Sequence, residues 1–448
     1  MKRTVLVVTQ YFPPLGTVGA SIRTVKFMKY LARAGWRFEV LTVDPDCPVL
    51  PIGKGSTTLE PEIPQGTIIN RVRPLVHIPA GRLHHPAATG KSPARLLLGN
   101  LAGRMIRAVK RSAREVALRW ILIPDEGILW LLPALRRARV ILGRGEIGLV
   151  FIVAPPFSSS LLAVLLKHFT HKPIVIDLKD DWMETQGYRG RSPIVRWVER
   201  RMEKGMLGSA DRLIAATQQS LVGLRARLAG QGSNRLTLIP NGTDLAEYAA
   251  APKADDLTRS LFRMVCAFGG YGRNYRDVTP LFEAIERLRK SAPEVARRLE
   301  ILFLGQGLAK EYGDRLAASA LGDVVREESP RSRQEFVRLM RTADLFVAVQ
   351  PQGCRTSVSA TVYEYWAVGG PPIMLISDAG ATRSFVNDHA LGAVFGPSDL
   401  EGICAYLSGV WKEWASGKPR RISLSGVEQF DRKKLADKLG QLLEACLH

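Results

Sequence analysis

The sequence predicts two Rossmann-like, doubly wound α/β domains facing a central cleft. Three observations carry this expectation. First, 448 residues exceed what a single hydrophobic core ordinarily supports. Second, short apolar runs recur between helical segments, as buried parallel strands do. Third, residues 246–260 show little apolar patterning and read as a linker between two such series. The boundaries that follow are 1–245, the linker 246–260, 261–428, and a closing helix over 429–448 that is expected to pack back towards the N-terminal domain.

The first series opens with an apolar strand at residues 5–8 and a loop from Tyr11 to Gly19. A helix follows from Ser21 to about Ala34, with Gly35 as its stop. Another strand at 38–43 completes a β-loop-α-β unit, the start of a doubly wound sheet. Gly16 and Gly19 let the backbone approach a ligand at the strand's C-terminal end. The spacing is not G-x-G-x-x-G, so a dinucleotide redox cofactor is not indicated. Further strands are expected at 149–153, 174–176, 213–215 and 236–239. Ser158, Ser159 and Ser160 follow a Pro-Pro turn and read as caps of the helix around Leu161. The second series begins with a strand at 264–267 and continues with strands at 299–304, 345–349 and 372–376.

Composition narrows the function. The net charge of +21 calls for an anionic partner: nucleic acid, anionic lipid or a diphosphate-bearing substrate. No zinc-finger spacing, RNP-type signature or helix-turn-helix pattern stands out, so nucleic acid is set aside. The five cysteines are scattered without metal-ligand spacing, which fits a reducing cytoplasm and no metal site. Lys2-Arg3 lead straight into a strand rather than the apolar region of a secretory signal, and no run is long enough to span a bilayer. Residues 94–120 have a helical period, with Leu98, Leu101, Met105, Val109 and Val116 on one side. Arg104, Arg107, Arg111 and Arg114 lie nearly opposite. This helix suits either an anionic membrane surface or an ordinary core-facing position.

Two stretches carry chemistry. Phe268-Gly269-Gly270-Tyr271-Gly272-Arg273-Asn274-Tyr275-Arg276 follows a strand and leads into a helix. A glycine-rich, basic turn at a helix start can cradle a diphosphate. Later, Ser- and Thr-rich sequence runs into Tyr363-Glu364-Tyr365-Trp366-Ala367-Val368-Gly369-Gly370-Pro371-Pro372. Glu364 is expected at the start of a short helix that the glycines and prolines stop, where a carboxylate either accepts two hydroxyl hydrogen bonds from a ribose or sugar diol or caps the helix. Asp180, in Asp180-Asp181-Trp182 after a strand, should face the cleft. It either orients an acceptor hydroxyl and stabilises positive charge on a sugar, or caps the next helix.

Taken in order, these stretches resemble retaining glycosyltransferases of the family-4 type, which have the GT-B fold. The fragments that carry the likeness include Tyr11-Phe12-Pro13-Pro14 with Gly16 and Gly19, Pro124-Asp125-Glu126 with Trp130, and Ala154-Pro155-Pro156-Phe157-Ser158. Asp177 to Trp182, Ile239-Pro240-Asn241-Gly242-Thr243-Asp244 and the Glu364 segment complete the set. The resemblance implies a nucleoside-diphosphate-sugar donor, retention of anomeric configuration, and neither metal nor cofactor. It further implies Arg273 and Arg276 on the diphosphate with Gly270, Glu364 on the ribose, and the Gly16–Gly19 loop at the donor–acceptor junction. A polyprenyl-linked or polysaccharide acceptor in cell-envelope glycan synthesis would place the protein in the cytoplasm, peripherally on the inner membrane face. Two departures stand out. Thr356 occupies the position of a usual Glu, and Thr361 that of a subgroup Lys; Thr356 and Ser357 remain able to donate hydrogen bonds to the donor. These departures keep open a non-catalytic GT-B scaffold, and the two-domain form is shared with nucleotide-sugar epimerases.

Overall fold

A computed structural model describes residues 2–15, 19–47, 57–76, 122–184, 191–228, 232–250, 260–269, 276–319, 321–330, 332–351 and 353–448. Gly16, Arg104, Arg107, Arg111, Arg114, Gly270 and Arg273 lie outside them.

The N-terminal domain runs β1 (Thr4–Val8), α1 (Gly19–Arg33), β2 (Arg37–Val43), β3 (Ile68–Val72), α2 (Ile128–Gly143), β4 (Leu149–Ala154), α3 (Phe157–Leu166), β5 (Ile174–Leu178), α4 (Pro193–Ser209), β6 (Arg212–Ala215), α5 (Gln218–Arg227) and β7 (Leu236–Leu238). Helix α6 (Leu245–Ala250) then leads to the second domain. That domain contains β8 (Phe262–Gly269), α7 (Thr279–Ser291), α8 (Pro293–Ala296), β9 (Leu299–Gln306), α9 (Leu308–Ala318), β10 (Val325–Glu328), α10 (Arg333–Met340), β11 (Leu345–Val349), α11 (Ala360–Val368), β12 (Ile373–Ile376), α12 (Ala381–Asp388), β13 (Gly392–Phe395) and α13 (Leu400–Ala415). Helix α14 (Arg432–Leu447) ends the chain.

Both sheets are parallel. The first has the order β3-β2-β1-β4-β5-β6-β7 and the second β10-β9-β8-β11-β12-β13. The central strands β1, β4 and β5 are buried on both faces, which explains why they read as continuous apolar runs rather than alternating ones. In each sheet the strand order reverses once, between β1 and β4 and between β8 and β11. Ligands of such sheets bind at these reversal points, beyond the strand C-termini.

The structure adds two details. The segment expected as the linker opens with a helix over 245–250, and Tyr248 is buried in the core of the second domain. Periodicity misses a helix of six residues, too short to show a full apolar stripe. Helix α1 begins at Gly19, two residues before the expected start.

The chain passes between the domains a second time through α14, whose Leu435, Ala436, Leu439 and Leu443 join the N-terminal core with Phe27, Leu31 and Trp36. The two crossings pair with each other. Thr243 N–H donates to the Phe430 carbonyl at 2.9 Å, and Arg432 N–H to the Thr243 carbonyl at 2.8 Å. Gly242 has φ of +57°, and a Cβ there would lie 2.3 Å from the Phe430 carbonyl oxygen, so the approach requires glycine. No helix among the described residues is long and apolar enough to cross a membrane.

Leu439 is 1% exposed against α1. Leu439→Ala should therefore destabilise the protein by about 2–5 kcal/mol, read as a shifted urea midpoint of the N-terminal domain's unfolding.

Candidate functional site

The cleft wall of the first domain is built where β1 and β4 end. Gln10, just past β1, donates from Nε2 to Ser158 Oγ at 3.0 Å. Asp125 supplies the missing cap of α3: Oδ2 accepts from Ser158 N–H at 3.1 Å, and Oδ1 from Gly127 N–H at 3.0 Å. The three serines are therefore not caps, since α3 already starts at Phe157 behind Pro156, and all three are buried within it. Ser160 Oγ instead donates to the Phe157 carbonyl at 2.6 Å. Gly127 fits because it has no Cβ, which would fall 2.3 Å from Ser158 Oγ. Phe157 stacks on Trp182 with centroids 5.0 Å apart, which ties the end of β4 to the end of β5.

Beside this framework lies Glu126, 5% exposed, with Oε2 lacking a hydrogen-bond partner among the described residues. Burial, helped by the neighbouring Asp125 charge, pushes its carboxyl up to about 7. The Pro-Asp-Glu sequence signals this group, but the expected site did not include it. Asp180 stands at the end of β5 with part of its surface open. Desolvation raises its pKa, Lys179 opposes the shift, and Asp181 adds to it. Lys179 is itself buried, and desolvation pulls its ammonium down to about 7 despite the carboxylates of Asp177 and Asp180. Asp181 is structural, accepting from Arg227 Nη2 at 2.7 Å.

In the second domain, Arg276 donates from Nη1 to the Ala267 carbonyl at 3.4 Å, while its buried Nε has no acceptor among the described residues. The Thr356 carbonyl accepts from Thr217 Oγ1 across the cleft, so the two walls touch where β6 and β11 end. The Ser357 carbonyl accepts from Thr382 Oγ1 at 3.0 Å and Gln350 Nε2 at 3.4 Å. Both residues thus engage the protein through their backbones. Gly19 is a helical residue at the start of α1 rather than part of the loop.

Glu364 needs correction. It is the fifth residue of α11, not its first, because the helix already starts at Ala360. Gly369 (φ +74°) and Gly370 (φ +85°) end the helix ahead of β12. From its second turn, the Glu364 carboxylate pairs with Arg333 Nη1 at 2.8 Å. Arg333 also donates to Glu247 at 2.7 Å and to the Tyr248 hydroxyl at 2.9 Å. Its only sequence signal was the capping pattern Ser332-x-x-Glu335, seen as a 3.1 Å bond from Glu335 N–H to Ser332 Oγ.

A further charged layer fixes the hinge. Arg23 grips Asp177 through two 3.0 Å bonds and donates to the Ile239 carbonyl at 2.9 Å and the Pro240 carbonyl. Lys26 meets Asp244 at 2.8 Å and Glu247 at 2.6 Å, and Tyr30 donates to Asp244 at 2.6 Å. Burial works against ionised Asp244, but Lys26, Tyr30 and Lys29 prevail and hold its pKa below the usual range. Among the described residues, no group of three or more His, Cys, Asp or Glu side chains is arranged to hold a metal ion.

The raised carboxyl of Glu126 makes stability depend on pH. Its folded-state pKa of about 7 exceeds the ordinary 4.5, so its stabilising effect is full below 4.5 and disappears as pH rises through 7. Glu126→Gln removes this dependence. Between about pH 5 and about pH 8 the melting temperature of the variant should rise by several degrees relative to wild type, measured by calorimetry at each pH. A constant difference across that range would mean that Glu126 is ionised throughout.

The comparisons agree with this architecture. The model of Glycosyltransferase Family 4 matches residues 102–247. A phosphatidyl-myo-inositol mannosyltransferase of Mycolicibacterium smegmatis is 27% identical over 203 residues, 45% of this chain and 50% of that protein. A D-inositol 3-phosphate glycosyltransferase of Kineococcus radiotolerans is 30% identical over 214 residues, 42% of this chain and 48% of that protein. The chain thus spans about half the length of the curated relatives it matches. A sucrose-phosphate synthase from Thermosynechococcus elongatus superposes with a TM-score of 0.63 at 15% identity, over 99% of this chain and 98% of the other. Anabaena HepE, solved in complex with UDP, gives 0.64 at 13% identity, over 99% and 100%. At such identities the likeness concerns the fold. With the two parallel sheets, it shows a two-domain Rossmann-like GT-B fold, and the stretch 102–247 is similar to Glycosyltransferase Family 4.

Proposed function

We propose that the protein is a glycosyltransferase that moves a sugar from a nucleoside-diphosphate-sugar to a hydroxyl of a lipid-linked, polyol or polysaccharide acceptor. The observation that carries this reading is the chemistry beyond the strand ends of the two sheets. Glu126 and Asp180 stand there in the first domain and Arg276 in the second, and the Thr217–Thr356 contact joins the two domains. The reaction breaks the bond between the anomeric carbon and a phosphate oxygen, and forms one to the acceptor oxygen. The acceptor proton leaves with the diphosphate. Arg276, whose Nε has no acceptor among the described residues, can meet the charge that develops on that diphosphate. In this reading Asp180 holds the acceptor hydroxyl, and its partly open position after β5 supports that role. The resemblance and the names of the two inositol-related relatives support an acceptor with a hydroxylated or phospholipid head group, a retaining course, and a role in cell-envelope glycan synthesis at the cytoplasmic membrane face.

A second reading is a degenerate, non-catalytic GT-B scaffold. The Glu364–Arg333 pair favours it, because a carboxylate already held by a buried arginine is less available to a ribose.

A thermal-shift panel of UDP-, GDP-, ADP- and dTDP-sugars separates the two. One nucleotide class should stabilise the protein, by about 2.7 kcal/mol at a hundredfold excess over Kd, and Arg276→Gln should weaken the shift. Asp180→Asn should keep the shift and lower transfer about a hundredfold. No shift in a folded sample would remove the donor reading. A shift without transfer to any inositol, polyprenyl-phosphate or glycan acceptor would favour the scaffold.

A further inference from the structure

Helix α4 has the sequence Pro193-Ile194-Val195-Arg196-Trp197-Val198-Glu199-Arg200-Arg201-Met202-Glu203-Lys204 over its first three turns. At 100° per residue, Ile194, Trp197, Arg200, Arg201 and Lys204 fall on one arc of the helix, and all five are exposed. Trp197 is 57% exposed and Ile194 62%, unusual for side chains of this size. The helix's two acidic residues point the other way. Glu199 is buried against Arg191, and Glu203 is buried against Arg227. The outer face therefore carries only cations and apolar groups, with the Arg201 guanidinium 5.0 Å from the Trp197 ring centroid.

Its position matters as much as its composition. A helix that follows a parallel strand starts near the strand's C-terminal end. Pro193 accordingly lies on the cleft side of the sheet, with α4 packed against the 3-10 turn that carries Trp182. Ile194 in the first turn and Trp197 at the start of the second are at the cleft-side end of the helix, while Arg200, Arg201 and Lys204 follow further along it.

We propose that this face of α4 docks on an anionic lipid bilayer, with Trp197 and Ile194 in the headgroup boundary and Arg200, Arg201 and Lys204 on the lipid phosphates. A face that mixes an indole, an isoleucine and cations on a convex helix, with no carboxylate among them, complements an anionic interface. Nucleic acid asks for a groove or a stacking platform instead. Docking in this orientation brings the cleft rim to the surface, so a lipid-borne acceptor would reach Asp180 without leaving the membrane. The proposal rests on the lipid-acceptor form of the function above.

Co-sedimentation with vesicles of phosphatidylcholine alone, and of phosphatidylcholine mixed with phosphatidylglycerol, tests it on the full chain. Wild type should bind only the mixed vesicles, and less as salt is added. Each neutralised cation should weaken partition roughly fivefold, so Arg200→Gln/Arg201→Gln/Lys204→Gln together should weaken it about a hundredfold. Trp197→Ala should weaken it at every salt concentration. All these residues are exposed, so the variants should keep any nucleotide-sugar thermal shift, which serves as the control for folding. Equal vesicle binding by wild type and the triple variant would overturn the proposal, as would a mobility shift with RNA in place of vesicle binding. Vesicle binding without any donor shift would keep this surface and remove the glycosyltransferase reading. A donor shift without vesicle binding would do the reverse.

Discussion

Two α/β domains joined by only two chain crossings have a defined cleft only if the crossings are fixed to each other and to both sheets. Here the fixing is electrostatic as well as apolar. Arg23 and Lys26, one turn apart on α1, reach the first crossing through the Ile239 and Pro240 carbonyls, Asp244 and Glu247. Arg333 continues the chain of charge from Glu247 to Glu364 on α11. The network therefore runs from the N-terminal domain through α6 to the wall of the second domain. Buried pairs of this kind add little net stability over apolar packing, but losing one partner leaves a desolvated charge and costs about 3–5 kcal/mol. The domain arrangement is thus specified by groups that tolerate few alternatives.

This network was also the least legible part of the sequence. No local pattern singles out Arg23 or Lys26 on α1, and nothing near them in sequence shows that the 239–244 loop covers them. The partners of Arg23 lie at positions 177, 239 and 240, a separation beyond any helical or strand period. The Glu364–Arg333 pair was hidden for the same reason: the motif located the carboxylate, but only the fold brings Arg333 to it. Strands were legible because a fully buried parallel strand must be apolar on both faces, and β1, β4 and β5 are. The Ser158–Ser160 reading failed because Asp125, remote in sequence, takes the cap's role.

Topology explains why the candidate walls stand where they do. The reversal between β1 and β4 leaves a gap between neighbouring loops, and Gln10, Gly127 and Ser158 close its floor tightly enough that only glycine fits at 127. That packing desolvates Glu126 and so sets its protonation. In the second domain the reversal between β8 and β11 leaves Arg276 and the Thr356–Ser357 backbone at the equivalent place.

The charge balance of the chain follows from the same packing. Seven carboxylates are buried among the described residues, Glu39, Glu126, Asp177, Asp181, Glu199, Glu203 and Asp244, and all belong to the N-terminal domain or its exit loop. Each turned inward is one fewer on the surface. On α4 the sorting is complete over the three turns that follow Pro193, with both acids inside and three cations outside. An excess of +21 could arise from composition alone, but composition does not require the acids to face the core. Desolvating Glu203 lifts its pKa to about 7, an energetic cost that a solvent-facing acid at that position would avoid. The cost purchases an outer surface of uniform sign, and uniform sign beside an exposed tryptophan is what an anionic interface selects.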